Sequence, residues 1–263
     1  MLDTALIYAM WQHAPFANLC VGDTEVHLWL VPLATSSETL ALASALLSLE
    51  ETARARRFHL EKDRAACIAS RAVLRTLIAQ YTGMPPRAIV FEYASTGKPR
   101  LAGGHDLHFN VAHSGALALY GFARHYELGV DIEYVRETPD LAAIADRFLN
   151  AGERGDLASI SGPAKTRAFY DCWTRKEALL KATGAGISAG LDTFRVSLLP
   201  FEPARVLAGD GEFAPDRWSL VDAVLGGNYR GALAIRGSGW HVRACACRDA
   251  ALCLTRGIAE DEQ

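Results

Sequence analysis

The feature that most constrains the fold is a plan that recurs in the two halves of the chain. In the first half, Arg57-Phe58 precedes a long run of helix-forming residues that ends at Thr82-Gly83. In the second half, Arg147-Phe148 precedes a similar run that ends at Thr183-Gly184. Strand-like segments follow both runs. The recurrence predicts two similar α/β halves, residues 1–125 and 126–263, with a ligand site at their junction.

Hydrophobic periodicity, together with the positions of Gly and Pro, predicts the elements of each half. Helices are predicted at residues 40–49 and 64–81, before the long helix of the second half. Strands are predicted at residues 25–31, 89–93, 107–111, 116–123, 127–133, 193–198, 218–224, 231–235 and 241–247. Residues 95–99 are predicted to form a turn, because Gly97 and Pro99 supply the backbone angles that turns need.

The composition is that of a globular protein and excludes several function classes. Half of the 263 residues are hydrophobic and 22% are charged, which separates the chain from disordered proteins. A formal net charge of −3 is too near zero to indicate a nucleic-acid-binding protein. No apolar run approaches the roughly 20 residues that a membrane helix needs. The N-terminus, with Asp3, lacks the basic segment of a signal peptide, so we expect a cytoplasmic protein without a membrane partner.

A cluster of arginines is the main local charge pattern of the first half. Its members are Arg54, Arg56, Arg57, Arg64, Arg71 and Arg75. Such a cluster indicates either a phosphate-bearing ligand or a solvated helix face. Helix spacing places Arg64, Arg71 and Arg75 near one face of the helix. A further interpretation is that these three arginines hold the two halves together.

Two carboxylates alternate along the predicted strand Gly129-Val130-Asp131-Ile132-Glu133. Residues two apart on a strand point to the same side, so Asp131 and Glu133 share a face. Two like charges at that distance repel unless a cation or base lies between them. Oxygen ligands of this kind suit Mg²⁺, whereas a strand end in solvent is the alternative interpretation.

A third carboxylate lies on the second long helix, in a segment that is apolar almost all round. Trp173, Glu177 and Lys181 are four residues apart and line one face. The plain interpretation is a surface Glu–Lys pair. Since charges on a buried helix need partners, a metal and a pyrophosphate are the sharper interpretation. A fourth segment, Phe109-Asn-Val-Ala-His-Ser-Gly115, is predicted to turn between two strands, where His113 can receive an anion.

Taken in order, residues 110–114, 129–133 and 173–181, with Gly97-Lys98-Pro99 upstream, resemble the motifs of the 4′-phosphopantetheinyl transferases. The resemblance runs from about Arg54 to Leu191. The length and the two-half plan resemble the Sfp-type class of that family. This implies an α+β fold of two similar halves related by pseudo-twofold symmetry within a monomer.

The resemblance implies a Mg²⁺-dependent enzyme that moves 4′-phosphopantetheine from coenzyme A to a serine of an apo acyl or peptidyl carrier protein, releasing 3′,5′-ADP. Asp131, Glu133 and Glu177 match the family's metal ligands. Glu177 also matches a proposed general base, with Glu133 or a bound water as rivals, because a cation lowers the pKa of its ligand. Lys181 matches a lysine near the pyrophosphate, where it would stabilise the departing oxygen.

The resemblance also implies a set of coenzyme A contacts. They are Arg54 near the 3′-phosphate with Arg56 assisting, Lys98 and Pro99 along the nucleotide, and His113. Lys181 is placed at the pyrophosphate. Lys176 points about a hundred degrees away from its neighbour Glu177 on the helix, so a phosphate and a structural partner are both open to it.

Two positions depart from the family pattern. Ala112 stands where the family often has a serine, which leaves a backbone N–H to meet the phosphate. Glu51 stands where a basic residue is sometimes found. Together they predict weaker or differently shaped phosphate binding.

Two other functions remain open on the sequence. A Mg²⁺-dependent hydrolase of a nucleotide pyrophosphate would use the same carboxylates. A non-catalytic coenzyme A- or carrier-binding protein would not need them, and the intact set of Asp131, Glu133, Glu177 and Lys181 argues against it. We expect the carrier to dock along residues 147–154. Fatty-acid, polyketide and peptide-synthetase carriers all remain open, because the choice depends on surface shape.

Overall fold

The structure is a computed structural model of mixed helices and sheets. It describes residue 11 and residues 19–33, 36–186, 190–247, 250–251 and 253–254. The N-terminal residues on which the predicted lack of a signal peptide rests lie mostly outside this part. The end of the predicted second half also lies outside it. In the described part, no helix is long and apolar enough to cross a membrane.

The helices and strands occur in two successive runs with the same order. The helices are α1 (Ser37–Leu46), α2 (Leu49–Ala55), α3 (Glu61–Thr82), α4 (Leu141–Phe148), α5 (Ala151–Ala158) and α6 (Gly162–Thr183). The strands of the first run are β1 (Glu25–Pro32), β2 (Phe91–Tyr93), β3 (Pro99–Leu101), β4 (Leu107–Ser114) and β5 (Leu117–Arg124). Those that follow are β6 (Leu128–Tyr134), β7 (Arg195–Val196), β8 (Val206–Ala208), β9 (Trp218–Asp222), β10 (Tyr229–Arg236) and β11 (His241–Ala246). Each run therefore consists of a strand, three helices and four strands, and the second run ends with one additional strand, β11.

The sheets repeat in the same way. In the first run, β1 pairs antiparallel with β5, which pairs with β4. In the second, β6 pairs antiparallel with β10, which pairs with β9. The last strand breaks the pattern, because β11 pairs parallel with β1. The segment from residue 126 onward thus contributes a strand to the first sheet and is not self-contained.

Three apolar cores hold these layers together. One lies between α3 and the first sheet, and a second lies between α6 and the second sheet. The third joins the two sheets. Strand β1 shows how this is built, since Trp29 and Val31 belong to the first core while Leu28 and Leu30 belong to the third. A strand covered on both faces needs the nearly continuous apolar sequence that β1 has.

The predicted element positions differ from the structure mainly at their ends. Helix α3 begins three residues earlier than predicted, and the strands predicted at 89–93 and 193–198 are shorter. Strand β4 continues through Ser114, so the prediction that His113 lies in a turn is wrong. The chain reverses at Gly115, whose φ of 58° is in the left-handed region that favours glycine.

Each long helix is anchored by a buried cation at an equivalent position. In the first half, Arg75 pairs with Glu51 at 2.8 Å and donates to the carbonyl oxygens of Pro86 and Ile89. Glu51 is also the third residue of a capping box at the start of α2. Arg71 pairs with the other oxygen of Glu51 at 2.6 Å. These arginines therefore brace helices within the first half, and the interpretation that they brace the two halves is wrong.

The second half contains the same arrangement around Lys176. Its ammonium pairs with Glu153 at 2.8 Å and donates to the carbonyl oxygens of Leu191 and Phe194. Glu153 is the third residue of the capping box that begins α5. Both partners of this pair are 0% exposed. Since a buried charge is tolerated only when it is paired and hydrogen-bonded, the two anchors explain why each half has a cation in the middle of an apolar helix.

Candidate functional site

Strand β6 lies directly against helix α6 because Gly129 has no side chain. A Cβ at this position would lie 2.1 Å from the carbonyl oxygen of Ala178 and 2.4 Å from the backbone nitrogen of Ala182. No other residue fits such a close backbone approach. The contact brings Asp131, two residues further along the strand, beside the last turns of α6.

Asp131 and Lys181 form the central ion pair of the site. The Nζ atom of Lys181 lies 2.5 Å from Oδ1 of Asp131, whose side chain is only 6% exposed. The other oxygen, Oδ2, is buried without a hydrogen-bond partner among the described residues. Burial raises the pKa of Asp131 to about 7, against the lowering effect of Lys181 and with further raising by Glu133 and Glu177. This carboxylate is therefore short of positive charge.

Glu177 has the same deficit one turn before Lys181 on α6. Its Oε1 atom is buried and has no hydrogen-bond partner among the residues described. Burial raises the pKa of Glu177, Lys181 opposes this, and Glu133 adds to it. The structure thus brings together the three carboxylates and the lysine that the sequence singled out.

The third carboxylate is held by a residue to which the sequence gave no role. Ser114 donates from Oγ to Oε2 of Glu133 at 2.8 Å and accepts from the N–H of Tyr134 at 3.1 Å. Four residues before Ser114 on β4, the side-chain oxygen of Asn110 accepts a hydrogen bond from the N–H of Val130 at 2.9 Å. Both contacts join the first half to strand β6. The alternation of polar residues along β4 is the signal that would have found them.

The fit of a metal ion can be judged from these oxygens. Among the described residues, no group of three His, Cys, Asp or Glu side chains is arranged closely enough to hold a metal. However, ionised carboxylates only accept hydrogen bonds, and a buried acceptor without a partner is costly. The unpartnered oxygens of Asp131 and Glu177 are hard ligands that suit Mg²⁺. The site fits a cation at these two oxygens, with Glu133 beside them.

Cavities along the junction of the two halves form one cleft. The middle cavity, of about 420 Å³, is lined by Lys98, Glu177 and Lys181, among others. A neighbouring cavity of about 240 Å³ is lined by Arg54, Pro99 and His113, among others. Gly97 and Val111 line both. A third cavity, of about 680 Å³, shares Lys98 and Gly184 with the middle one.

Cationic groups at the small end of the cleft favour an anion. Glu51 pairs with both Arg71 and Arg75, so these three residues keep one net positive charge, and Arg54, which lines the same cavity, is exposed. His113 is exposed, and desolvation lowers its pKa, as does the charge of Lys181, so it offers a neutral imidazole and not a further cation. Glu51 is thus a structural residue, and Arg54 is the more exposed of the two arginines that line this cavity.

Lys176 and Arg56 lie away from the cleft, whereas the contact predicted for the backbone N–H of Ala112 stays a prediction. Lys176 is 0% exposed and donates to Glu153 and two carbonyl oxygens, so its partners are structural and not a phosphate. Ala112 is 6% exposed and belongs to the core between the sheets. Its side chain therefore faces strand β6, as do those of Asn110 and Ser114. Arg56 is exposed but lines none of the three cleft cavities.

Comparison with known families gives two adjacent matches. Residues 127–234 match a model described as the 4′-phosphopantetheinyl transferase superfamily. Residues 33–121 match a model described as 4′-phosphopantetheinyl transferase, N-terminal.

Individual relatives are also named as phosphopantetheinyl transferases. The chain is 39% identical over 226 residues to the 4′-phosphopantetheinyl transferase HetI of Nostoc sp.. The aligned residues make up 85% of this chain and 92% of the relative. It is 31% identical over 154 residues to the 4′-phosphopantetheinyl transferase Sfp of Bacillus subtilis, covering 59% of this chain and 67% of the relative. An L-aminoadipate-semialdehyde dehydrogenase-phosphopantetheinyl transferase of Xenopus laevis is 27% identical over 211 residues, covering 74% and 70%.

Proposed function

The chain belongs to the 4′-phosphopantetheinyl transferase superfamily, and we propose that its cleft transfers the phosphopantetheine arm of coenzyme A to a serine of an apo acyl or peptidyl carrier protein with the help of Mg²⁺. The observation that carries this proposal is a pair of buried oxygens next to Lys181, on Asp131 and Glu177, that have no hydrogen-bond partner in the described part of the chain. An anionic pyrophosphate and a cation would together satisfy all three groups.

In the proposed complex, Arg54 and His113 bind the phosphate-bearing nucleotide at the small end of the cleft, where both line one cavity. Arginine suits this task because its planar group pairs with phosphate through two hydrogen bonds. Lys181 keeps 31% of its side chain exposed, so it can donate to the pyrophosphate oxygen that leaves with 3′,5′-ADP.

Asp131 and Glu177 would hold Mg²⁺, with Glu133 as the third carboxylate. The cation would supply charge neutralisation of the pyrophosphate. We assign the serine proton to Glu177 because this carboxylate lines the middle cavity of the cleft beside Lys181, although a bound cation would lower its pKa. Glu133, fixed by Ser114, is the alternative acceptor.

The test is incubation with coenzyme A, Mg²⁺ and a panel of apo-carriers from fatty-acid, polyketide and peptide-synthetase systems, measured by intact mass. We expect at least one carrier to gain one phosphopantetheine. Free phosphopantetheine with unmodified carriers would instead indicate a pyrophosphate hydrolase, and unchanged coenzyme A would indicate a binding protein.

We also propose that the enzyme works as a monomer in the cytoplasm. The support is that one chain provides both walls of the cleft, with Arg54 from the first half and Glu177 from the second. Light scattering during turnover would test the monomer.

The proposed docking surface for the carrier is the start of residues 147–154. The guanidinium of Arg147 lies 5.1 Å from the ring centre of Phe148, and that ring contacts Trp173, one turn before Glu177 on α6. An exposed cation that is linked to helix α6 through Phe148 and Trp173 suits carriers that are acidic. Arg154 is less suitable for a test, because it donates to the carbonyl oxygen of Leu149 at 2.8 Å.

Arg147→Glu is expected to raise KM for the carrier about 10-fold and to leave KM for coenzyme A unchanged, because like charges across an interface slow association. Steady-state kinetics with varied carrier concentration measure this effect. The matched control is Arg87→Glu, an exposed arginine elsewhere in the first half. An unchanged carrier KM in the Arg147 variant would rule out this surface.

A further inference from the structure

Lys98 lines the cleft, yet protein groups already use its donors. Its Nζ atom lies 2.5 Å from Oε2 of Glu127, 2.9 Å from the carbonyl oxygen of Ala182 and 3.2 Å from that of Leu128. A lysine ammonium has three protons to donate, so these three acceptors match its capacity. Only 17% of the Lys98 side chain is exposed. A coenzyme A phosphate could bind Lys98 only by displacing one of these bonds.

The acceptors of Lys98 belong to the two elements that carry the site. Leu128 begins strand β6, which bears Asp131 three residues later. Ala182 lies in the last turn of α6, next to Lys181. Carbonyl oxygens in the last turn of a helix lack partners within the helix, and a cation there is favourable. Lys98 itself comes from the first half, just before β3, so it joins both elements to the opposite wall of the cleft.

Two further contacts fix this arrangement. The aliphatic stem of Lys98 passes 3.8 Å from where a Cβ of Gly184 would lie, at the residue that caps α6. Glu127 is within 3.5 Å of His108 as well as Lys98. His108 and Lys98 lower the pKa of Glu127 to about 2. The carboxylate is therefore ionised across the working pH range and available as a permanent partner for Lys98.

We propose that Lys98 is a positioning residue, which locks the end of α6 to the start of β6 and so keeps Lys181, Glu177 and Asp131 in register. This rests on the proposed function of the cleft. It replaces the nucleotide contact that the resemblance implied for the Lys98 side chain, while Pro99 keeps its place on the cleft wall. The contacts of Lys98 position Lys181, Glu177 and Asp131 and do not touch the bound nucleotide. Loss of these contacts should therefore lower kcat more than it lowers the affinity for coenzyme A.

The test compares Lys98→Met, which keeps the stem but removes the donors, with Glu127→Gln, which weakens the same lock from its other side. Both are expected to lower kcat, Lys98→Met by about 10- to 100-fold, since small misplacements of catalytic groups have effects of this size. KM for coenzyme A should stay within about 2-fold. Lys98→Arg should recover part of kcat. Lys62→Met, at an exposed position on α3, is the control and should change neither constant.

A purely nucleotide-binding role would give the opposite result. KM and the dissociation constant for coenzyme A would rise about 10-fold or more with kcat kept, and Glu127→Gln would have no effect. Amide hydrogen exchange of residues 181–184 in the free protein provides a second readout, which does not require turnover. We expect faster exchange in both variants, and unchanged exchange would overturn the lock. If the wild-type protein fails to modify any carrier, the proposed function fails while the exchange result still decides the role of Lys98.

Discussion

Glu177→Gln is expected to lower kcat for carrier modification by about 10²- to 10⁴-fold, the range that a catalytic acid or base contributes. Glutamine has the shape of glutamate but lacks the negative charge that a cation or a serine proton would require. The buried Oε1 atom of Glu177 has no hydrogen-bond partner among the described residues, and burial raises the pKa of the group. Folding therefore disfavours its ionised form, so removal of the charge should not destabilise the protein.

The measurement is a carrier-modification assay at saturating coenzyme A, with urea unfolding as the check on stability. Glu38→Gln, an exposed glutamate on α1, is the matched control and should retain full activity. Retained activity in Glu177→Gln would refute both roles assigned to Glu177. The dependence of activity on pH should also be compared between Glu177→Gln and Glu133→Gln. A loss of activity confined to alkaline or acidic pH would identify the proton acceptor, as distinct from a residue that only holds the cation.

Lys176→Met is expected to destabilise the protein by about 3–5 kcal/mol, the effect of removing one partner of a buried ion pair. The change leaves the carboxylate of Glu153 without its cation in a position that is 0% exposed. It also removes the donors for the carbonyl oxygens of Leu191 and Phe194. Arg75→Met, at the equivalent place in the first half, should destabilise the protein less, because Glu51 keeps its ion pair with Arg71.

Urea unfolding monitored by circular dichroism measures this effect. Lys62→Met, an exposed lysine on α3, should change the free energy of unfolding by less than about 0.5 kcal/mol. Combining Lys176→Met with Glu153→Gln should destabilise less than the sum of the two single changes, because the double variant has no unpaired charge. If Lys176→Met left stability unchanged and raised KM for coenzyme A, the phosphate role predicted for Lys176 would have to be restored.

Several features of the fold follow directly from the sequence. The long helix α3 was predicted because good helix formers run up to Gly83, which adopts φ 70° and ends the helix. Strand β6 was predicted from its apolar run, and the alternation of Asp131 and Glu133 within it placed both carboxylates on one face. The recurrence of Thr-Gly after each long helix correctly indicated two runs of the same elements.

Other features depend on contacts between distant segments. Helix α6 carries charged residues along most of its length, so its sequence does not reveal that Lys176 points into the second core while Lys181 points into the cleft. The partner of Lys176, Glu153, is recognisable in sequence only as a capping-box residue. Likewise, the saturation of Lys98 requires carbonyl oxygens from two other elements. The partners of Lys176 and Lys98 are set by tertiary packing, which cannot be inferred from the periodicity of the sequence.

The placement of the metal is tested most directly by crystals of the enzyme grown with coenzyme A and Mn²⁺, which binds the same kind of oxygen ligands as Mg²⁺. An anomalous difference map locates the Mn²⁺ ion. We expect one peak within bonding distance of Asp131 and Glu177, at the oxygens that lack partners in the structure described here, with Glu133 adjacent. A peak held by coenzyme A phosphates alone, or one bound elsewhere on the protein, would contradict the assignment of these carboxylates as the metal site.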